Sequence, residues 1–506
     1  MLKKILVISL TLGLFSGGVQ AASITTAAQQ EIKSTTTHTA RRATTIKTIA
    51  EVEETTATVA DSTSTKPAVL TKEEFRKKYR QARMIAMTMA ASNAAYEGGV
   101  NTNEWAYMHK RGWTFLPFVS QANKVDAHFV IATNPKKHYA IIAFRGSHSK
   151  DDWKQNLIVE QINYGGHSLA EFQAIAKEKQ GPASTPKVHK GFNNYVTAAL
   201  ALKADFDGDH AVDNIVEKLK VRPDFKLYIT GHSLGGAAAI LYAERLAALG
   251  VNKDQIPVIS FGAPAIGNEA FVKEYGDKIN LLRVETTMDP IPFSLKLLGN
   301  KYKLFGKEFK FHVSKKYTDN FHDNAFYMDY ALRNYYNVQD EGLSLGYLRP
   351  RKTKQVTGGK PLVAVVMLTH PVQVNDQYAP NISRFVLDEY RSFLPSYVVL
   401  DSKPSADFWD RGQLGRSFEE AEKAGADYLL VADIGRKRMG KSASWYVKME
   451  QTVFGLPEKN VLSMQSSSDG VRLMHGVTQA ALKDLNVCRA ELLKKLPFTE
   501  LQETAE

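Results

Sequence analysis

Residues 227–250 read LYITGHSLGGAAAILYAERLAALG. The apolar run from Phe225 to Thr230 has the composition of a buried strand. The Ala- and Leu-rich stretch that follows has helical periodicity, with Leu241, Leu246 and Leu249 among its apolar positions. Between them stands Gly231-His232-Ser233-Leu234-Gly235, whose glycines permit a sharp turn that side chains at those positions would obstruct. A serine on such a strand–turn–helix elbow has its hydroxyl exposed above a sheet, with the N-terminus of the next helix beneath it. Ser233 is therefore the candidate nucleophile, and its flanking strand and helix separate this reading from a plain Gly-rich turn.

The same alternation continues outward. Ala127–Ala132 and Tyr139–Phe144, joined by an Asn134-Pro135 turn, read as strands, as do Pro257–Phe261 and Asn280–Glu285. A helix-rich stretch leads to the elbow, and EEFRKKYRQARMIAMTMAASNAAYE (73–97) carries a helical apolar pattern. Strands alternating with helices predict a mostly parallel α/β sheet covered on both faces.

A serine hydroxyl becomes a useful nucleophile when an imidazole takes its proton. The imidazole in turn needs a carboxylate to fix its tautomer and stabilise its charge. In the α/β-hydrolase chain order both follow the serine. Asp289, in LLRVETTMDPIPFSL just past a strand, is the acid candidate, with Pro290 and Pro292 stiffening its loop; an Asp-Pro turn without chemistry is the alternative. For the base, His312 in FKFHVSKKY alternates with apolar residues like a strand position. His322 stands instead on a loop before an aromatic-rich helix, where its ring can swing toward Ser233, and is preferred. His370, after the next domain's first strand, ranks third. The oxyanion needs two donors. One is the backbone N–H of Leu234; the other comes from Gly146-Ser147 after the strand YAIIAF, through the Ser147 N–H and hydroxyl. Arg145 reads as a structural tie to that loop.

Six motifs occur in order: FRGS at 144–147, HKGF at 189–192, GHSLGG at 231–236, FGAPAIGN at 261–268, MDPIP at 288–292 and HDNAFY at 322–327. Together they resemble the class 3 lipases, the fungal-lipase-like group of α/β hydrolases, over roughly residues 75 to 340. The resemblance implies Ser233 as nucleophile, Asp289 as acid and His322 as base, with Ser147 and Leu234 as oxyanion donors. It also implies a structural role near the site for His189 and a packing role for His232. In that family a lid follows the oxyanion strand. The matching stretch, DDWKQNLIVEQINY, spaces Trp153, Leu157, Ile158 and Ile162 as one apolar face of a helix, which serves a lid or ordinary core packing equally.

The remainder of the chain bounds the setting. At 506 residues there is room for two or three domains. Residues 1–21 have the Lys3-Lys4 start, apolar stretch and Val19-Gln20-Ala21 end of a signal peptide, and 22–70 is a Thr/Ser/Ala-rich segment expected to be disordered. No long apolar run downstream predicts a membrane-spanning helix. Cys488 is the only cysteine, so no internal disulfide can form. The net charge of +12 favours anionic lipid surfaces or is a solvated basic surface, and no aromatic-interleaved basic motif points to nucleic acid. Asp205, Asp207 and Asp209 alternate like a calcium loop, but His210 and Val216 stand where an EF-hand needs Gly and Glu. The histidines lack zinc-ligand spacing, so neither metal nor cofactor is expected.

A basic, Gly-containing linker at 351–360 ends the first domain, taken as 71–350. A small α/β domain over 361–496 follows in the order β-α-β-α-β-β-β-α, its last helix read from Val471 to Leu493. Its pattern resembles α/β domains of bacterial envelope-assembly proteins of the curli-export and penicillin-binding-protein-activator type, which implies an interaction module for a protein partner.

These readings converge on an exported serine ester hydrolase, secreted or periplasmic, most simply a lipase meeting its substrate at a lipid interface. A phospholipase A1 or short-chain esterase is the rival within the class. An envelope protein binding lipid or protein through a lipase-like scaffold is the rival outside it.

Overall fold

Thr71 opens the first helix with a reciprocal cap: its Oγ1 accepts from the Glu74 N–H at 3.3 Å, and Glu74 Oε2 accepts from the Thr71 N–H at 2.8 Å. The computed structural model describes residues 70–97, 108, 112–122, 125–147, 160–200, 215–295, 301–312, 321–349, 351–354, 361–370, 379–438 and 445–471. It also describes residues 481, 484–485, 487–490 and 492. The signal-peptide reading, nearly all of the Thr/Ser/Ala-rich segment and Asp205, Asp207 and Asp209 lie outside the described residues.

The helices used below are α1 (Lys72–Ala94), α2 (Lys190–Leu200), α3 (Leu234–Ala248), α4 (Asn324–Ser344), α5 (Ala379–Phe393), α6 (Ser405–Phe408) and α7 (Arg411–Lys423). The first sheet has seven strands in spatial order: β1 (Thr114–Ala122), β2 (Val125–Thr133), β3 (Tyr139–Phe144), β4 (Lys226–His232), β5 (Val258–Phe261), β6 (Leu281–Thr286) and β7 (Lys307–Phe311). β3 through β7 are parallel, and β1 and β2 form an antiparallel edge. The expected mostly parallel α/β sheet is therefore present. β1 goes beyond the sequence expectation: Pro117 interrupts its strand pattern, which an edge position tolerates.

α1 and α4 cover one face of this sheet, with Met89, Phe261 and Phe326 in the shared core. α2 and α3 cover the other, with Phe192, Ile229 and Leu241. Every α3 residue from Leu234 to Leu246 is buried, because the run Ala237-Ala238-Ala239 lets the helix backbone lie close to the strands.

The second sheet is mixed, ordered β8 (Thr353–Lys354), β10 (Tyr397–Val399), β9 (Val363–Thr369), β12 (Tyr428–Arg438), β13 (Trp445–Gly455) and β14 (Asn460–Val471), with β11 (Lys403–Pro404) paired to β9. Two expectations need correction. Thr353 and Lys354, read as linker, pair with β10 as a strand. Val471, read as the start of the last helix, ends β14; the described positions from 481 to 492 are helical.

Candidate active site

Ser233 stands between β4 and α3 with φ 60° and ψ −127°, a conformation that costs a side chain energy and persists only where its surroundings impose it. Its N–H donates to Phe261 O at 2.9 Å, and its carbonyl accepts from Gly236 N at 3.0 Å. The glycines around it are required. A Cβ at Gly231 would lie 2.8 Å from Gly236 N, and one at Gly236 would lie 2.8 Å from Ala263 Cβ.

Three side chains from separate elements meet here. His322 Nε2 lies 2.8 Å from Ser233 Oγ, and His322 Nδ1 lies 2.8 Å from Asp289 Oδ2. Asp289 follows β6, where its Oδ1 accepts from the Ile291 N–H at 2.8 Å, so the Pro290 turn fixes the carboxylate. Ser233 and His322 are each 9% exposed and Asp289 is 3% exposed. The hydroxyl expected to stand open above the sheet is thus covered, with the His322 ring against it.

The oxyanion candidates lie close by. The Leu234 N–H opens the first turn of α3, with no helix carbonyl one turn before it to accept it. Gly146 and Ser147 follow β3, and a Cβ on Gly146 would come 2.6 Å from His232 O, so this loop lies against the elbow.

Sequence reasoning did not single out Tyr327 or Tyr96. The Tyr327 hydroxyl donates to Asp289 Oδ2 at 2.7 Å and accepts from Thr286 N at 3.2 Å. Burial, then the Asp289 charge, pushes its pKa well above the usual range, so it stays a donor. The signal was its place in HDNAFY, in the first turn of α4 after His322. The Tyr96 hydroxyl is hydrogen-bonded to His232 Nδ1 at 2.8 Å, and the His232 and His322 rings are 4.6 Å apart. Burial, and then the neighbouring His322, hold His232 well below the usual imidazole range, so it is a neutral packing group.

The other candidates fall elsewhere. His312 lies just past β7, and no described contact joins it to Ser233. His370 lies just past β9 in the second sheet, with Nε2 2.5 Å from Asp433 Oδ1. His189 is buried and stacks on Phe192 at 3.8 Å. Ile162, placed on a lid helix by its spacing, is in a short strand, Gln161–Asn163, paired with Lys187–His189; the β pairing with that segment outweighs the local helical pattern. Trp153, Leu157 and Ile158 lie outside the described residues. Among the described residues no group of three or more His, Cys, Asp or Glu suits a metal, and no helix is long and apolar enough to cross a membrane.

Residues 141–297 match the family model Lipase (class 3). Over this span the chain is similar to the class 3 lipases. The matched span includes Ser147, Ser233, Leu234 and Asp289, and ends before His322. The chain is 26% identical over 187 residues to a lipase of Rhizomucor miehei, covering 35% of this chain and 45% of that protein. Phospholipase A1-II 1 of Oryza sativa subsp. indica is 26% identical over 201 residues, 37% of this chain and 48% of its own. The chain spans about half the length of these relatives. A solved structure of the Rhizomucor miehei triacylglyceride lipase is 20% identical, with a TM-score of 0.36, covering 46% of this chain and 80% of that one.

Proposed function

We propose that the protein is an exported serine ester hydrolase, a lipase that cleaves carboxylic esters of glycerolipids through an acyl-enzyme on Ser233. The reading is carried by the unbroken hydrogen-bond chain from Ser233 through His322 to Asp289, 2.8 Å at each step, on a serine whose backbone is held at φ 60°. Ser233 Oγ attacks the ester carbonyl as His322 Nε2 takes its proton, while Asp289 holds the ring and stabilises the imidazolium. The Leu234 N–H and Ser147 donate to the oxyanion. The alcohol leaves with the proton from His322. Water then attacks the acyl group, giving its proton to His322; the acyl–Oγ bond breaks as His322 returns that proton to Ser233, and the carboxylic acid leaves. No cofactor enters this cycle.

The named relatives include both a lipase and a phospholipase A1, which keeps a phospholipid substrate as the second reading. Export rests on the N-terminal sequence, and the lipid interface is the expected partner. The division into a hydrolase domain over 71–350 and a smaller interaction module over 361–496 belongs to the same proposal.

The test is hydrolysis of short esters, emulsified triglyceride and phospholipid vesicles by the mature protein beside Ser233→Ala. Loss of turnover by roughly three or more orders of magnitude supports the mechanism. The lipid on which turnover rises at the interface identifies the substrate class. Equal turnover by Ser233→Ala, or none by either protein, would sink it.

A further inference from the structure

Helix α4 starts two residues after His322 and runs to the second domain. Its first turn carries Tyr327, which donates to Asp289 Oδ2 at 2.7 Å. Nine residues later Tyr336, 1% exposed, donates from its hydroxyl to Asp388 Oδ2 of α5 at 3.3 Å. Arg384 of α5 places its guanidinium 4.7 Å from the centre of the Tyr336 ring, and its Nη1 donates to Asp340 Oδ2 of α4 at 2.6 Å. At about 1.5 Å per residue, Tyr327 and Tyr336 are roughly 13 Å apart on one rigid rod.

The apolar contact is also unbroken. One core cluster holds Phe261 of the first sheet, Tyr330 and Tyr336 of α4, Phe385 of α5 and Val365 of the second sheet. Domains joined by small, wet contacts move freely, whereas a shared close-packed core passes displacement on. From the hydrolase side, α1 holds α4 through Asn324 Nδ2 to Asn93 Oδ1 at 2.7 Å and the Tyr79–Tyr335 hydroxyl pair at 3.1 Å. The helix that carries the acid's partner is therefore gripped by both domains.

We propose that the second domain braces the Asp289–His322 pair through α4, with Tyr336, Asp340, Arg384 and Asp388 as positioning residues. The catalytic sense of this rests on the Ser233 reading above. α5 sets the pitch of α4; the pitch sets where the Tyr327 hydroxyl meets Asp289, and Asp289 orients the imidazole.

The experiment uses the full chain. Arg384→Ala, Tyr336→Phe and their double variant are compared with Lys403→Ala, which removes a 2.8 Å contact to Glu420 inside the second domain. Turnover on a soluble ester is read with melting temperature, hydrogen exchange of amides 322–330 and the low-field proton resonance of the His322–Asp289 hydrogen bond. The double variant is expected to lose roughly three- to tenfold in kcat with KM unchanged. Exchange at 322–330 should rise and the low-field resonance should broaden, while Lys403→Ala behaves as wild type. Wild-type kcat, exchange and resonance in the folded double variant would overturn the brace, as would an equal kcat loss in Lys403→Ala. If the double variant does not fold, Asp340→Asn breaks only the charge pair and is read the same way. Should wild type show no Ser233-dependent turnover, the functional reading fails, and exchange and resonance still decide the brace.

Discussion

Gly262, at the end of β5, has φ +54°, and its Cα faces Asp289, Tyr327 and His322. A Cβ there would lie 2.7 Å from Asp289 Oδ2, 2.9 Å from the Tyr327 hydroxyl and 3.2 Å from His322 Cε1. Gly262→Ala therefore acts twice. The left-handed backbone costs an alanine about 1–2 kcal/mol. The new methyl also needs ordinary contact distances, which begin at 3.4 Å, so Asp289 must retreat by about 0.7 Å. Asp289 has little room, because Oδ1 is held by the Ile291 N–H and Oδ2 by Tyr327 and His322. A misplacement near 1 Å costs on the order of a hundredfold in rate, so a loss in kcat of roughly ten- to a hundredfold is expected. KM on a soluble ester should hardly change, since the methyl meets the acid–base pair and not the nucleophile. Steady-state hydrolysis beside a thermal melt separates the two effects. A folded Gly262→Ala with kcat within twofold of wild type would refute the argument that this glycine leaves room for the catalytic pair.

Two further outcomes follow from the same packing. Tyr327→Phe removes one donor to Asp289 and leaves the buried Thr286 N–H without its acceptor, which should cost about 1–3 kcal/mol of stability. It should also cost about tenfold in kcat at unchanged KM; a purely thermal effect would show that the tyrosine does not orient the acid. Glu244, in α3, is 1% exposed and accepts the Tyr164 hydroxyl, and burial raises its pKa above 4.5. The folded state thus holds the proton more tightly than the unfolded chain, and stability falls as pH rises from 4.5 through the raised folded value. Glu244→Gln should melt higher than wild type at pH 7 and level with it at pH 4. An equal difference at both pH values would rule out that titration.

The nucleophile elbow was legible because its determinants are local. A strand, glycines where Cβ atoms would collide, and a small-residue helix lie within 24 consecutive residues. Asp289 was legible as a position, a rigid Asp-Pro loop after a strand, but not as a hydrogen-bond partner of His322, because a turn of the same sequence needs no partner. The base was harder. His312 and His322 are ten residues apart, and local pattern ranks them without placing either ring. Tyr327 looked like one more aromatic on a helix face, and its hydroxyl acquires meaning only beside Asp289. At Ile162 the local pattern misled, since a helical spacing was overridden by pairing with Lys187–His189.

By itself the sequence determined what is written in neighbouring residues: the alternating α/β order, the serine on its glycine-flanked elbow and the presence of two sheets' worth of apolar runs. Tertiary structure decided what depends on distance between segments far apart in the chain. It brought His322 from 89 residues beyond Ser233 to hydrogen-bonding range, set Asp289 behind it with Tyr327, and merged the second domain's core with the first through α4. The division has a physical cause. Periodicity, glycine sterics and turn chemistry act over a few bonds, whereas a hydrogen bond between remote side chains exists only after the sheet has assembled the strand ends that carry them.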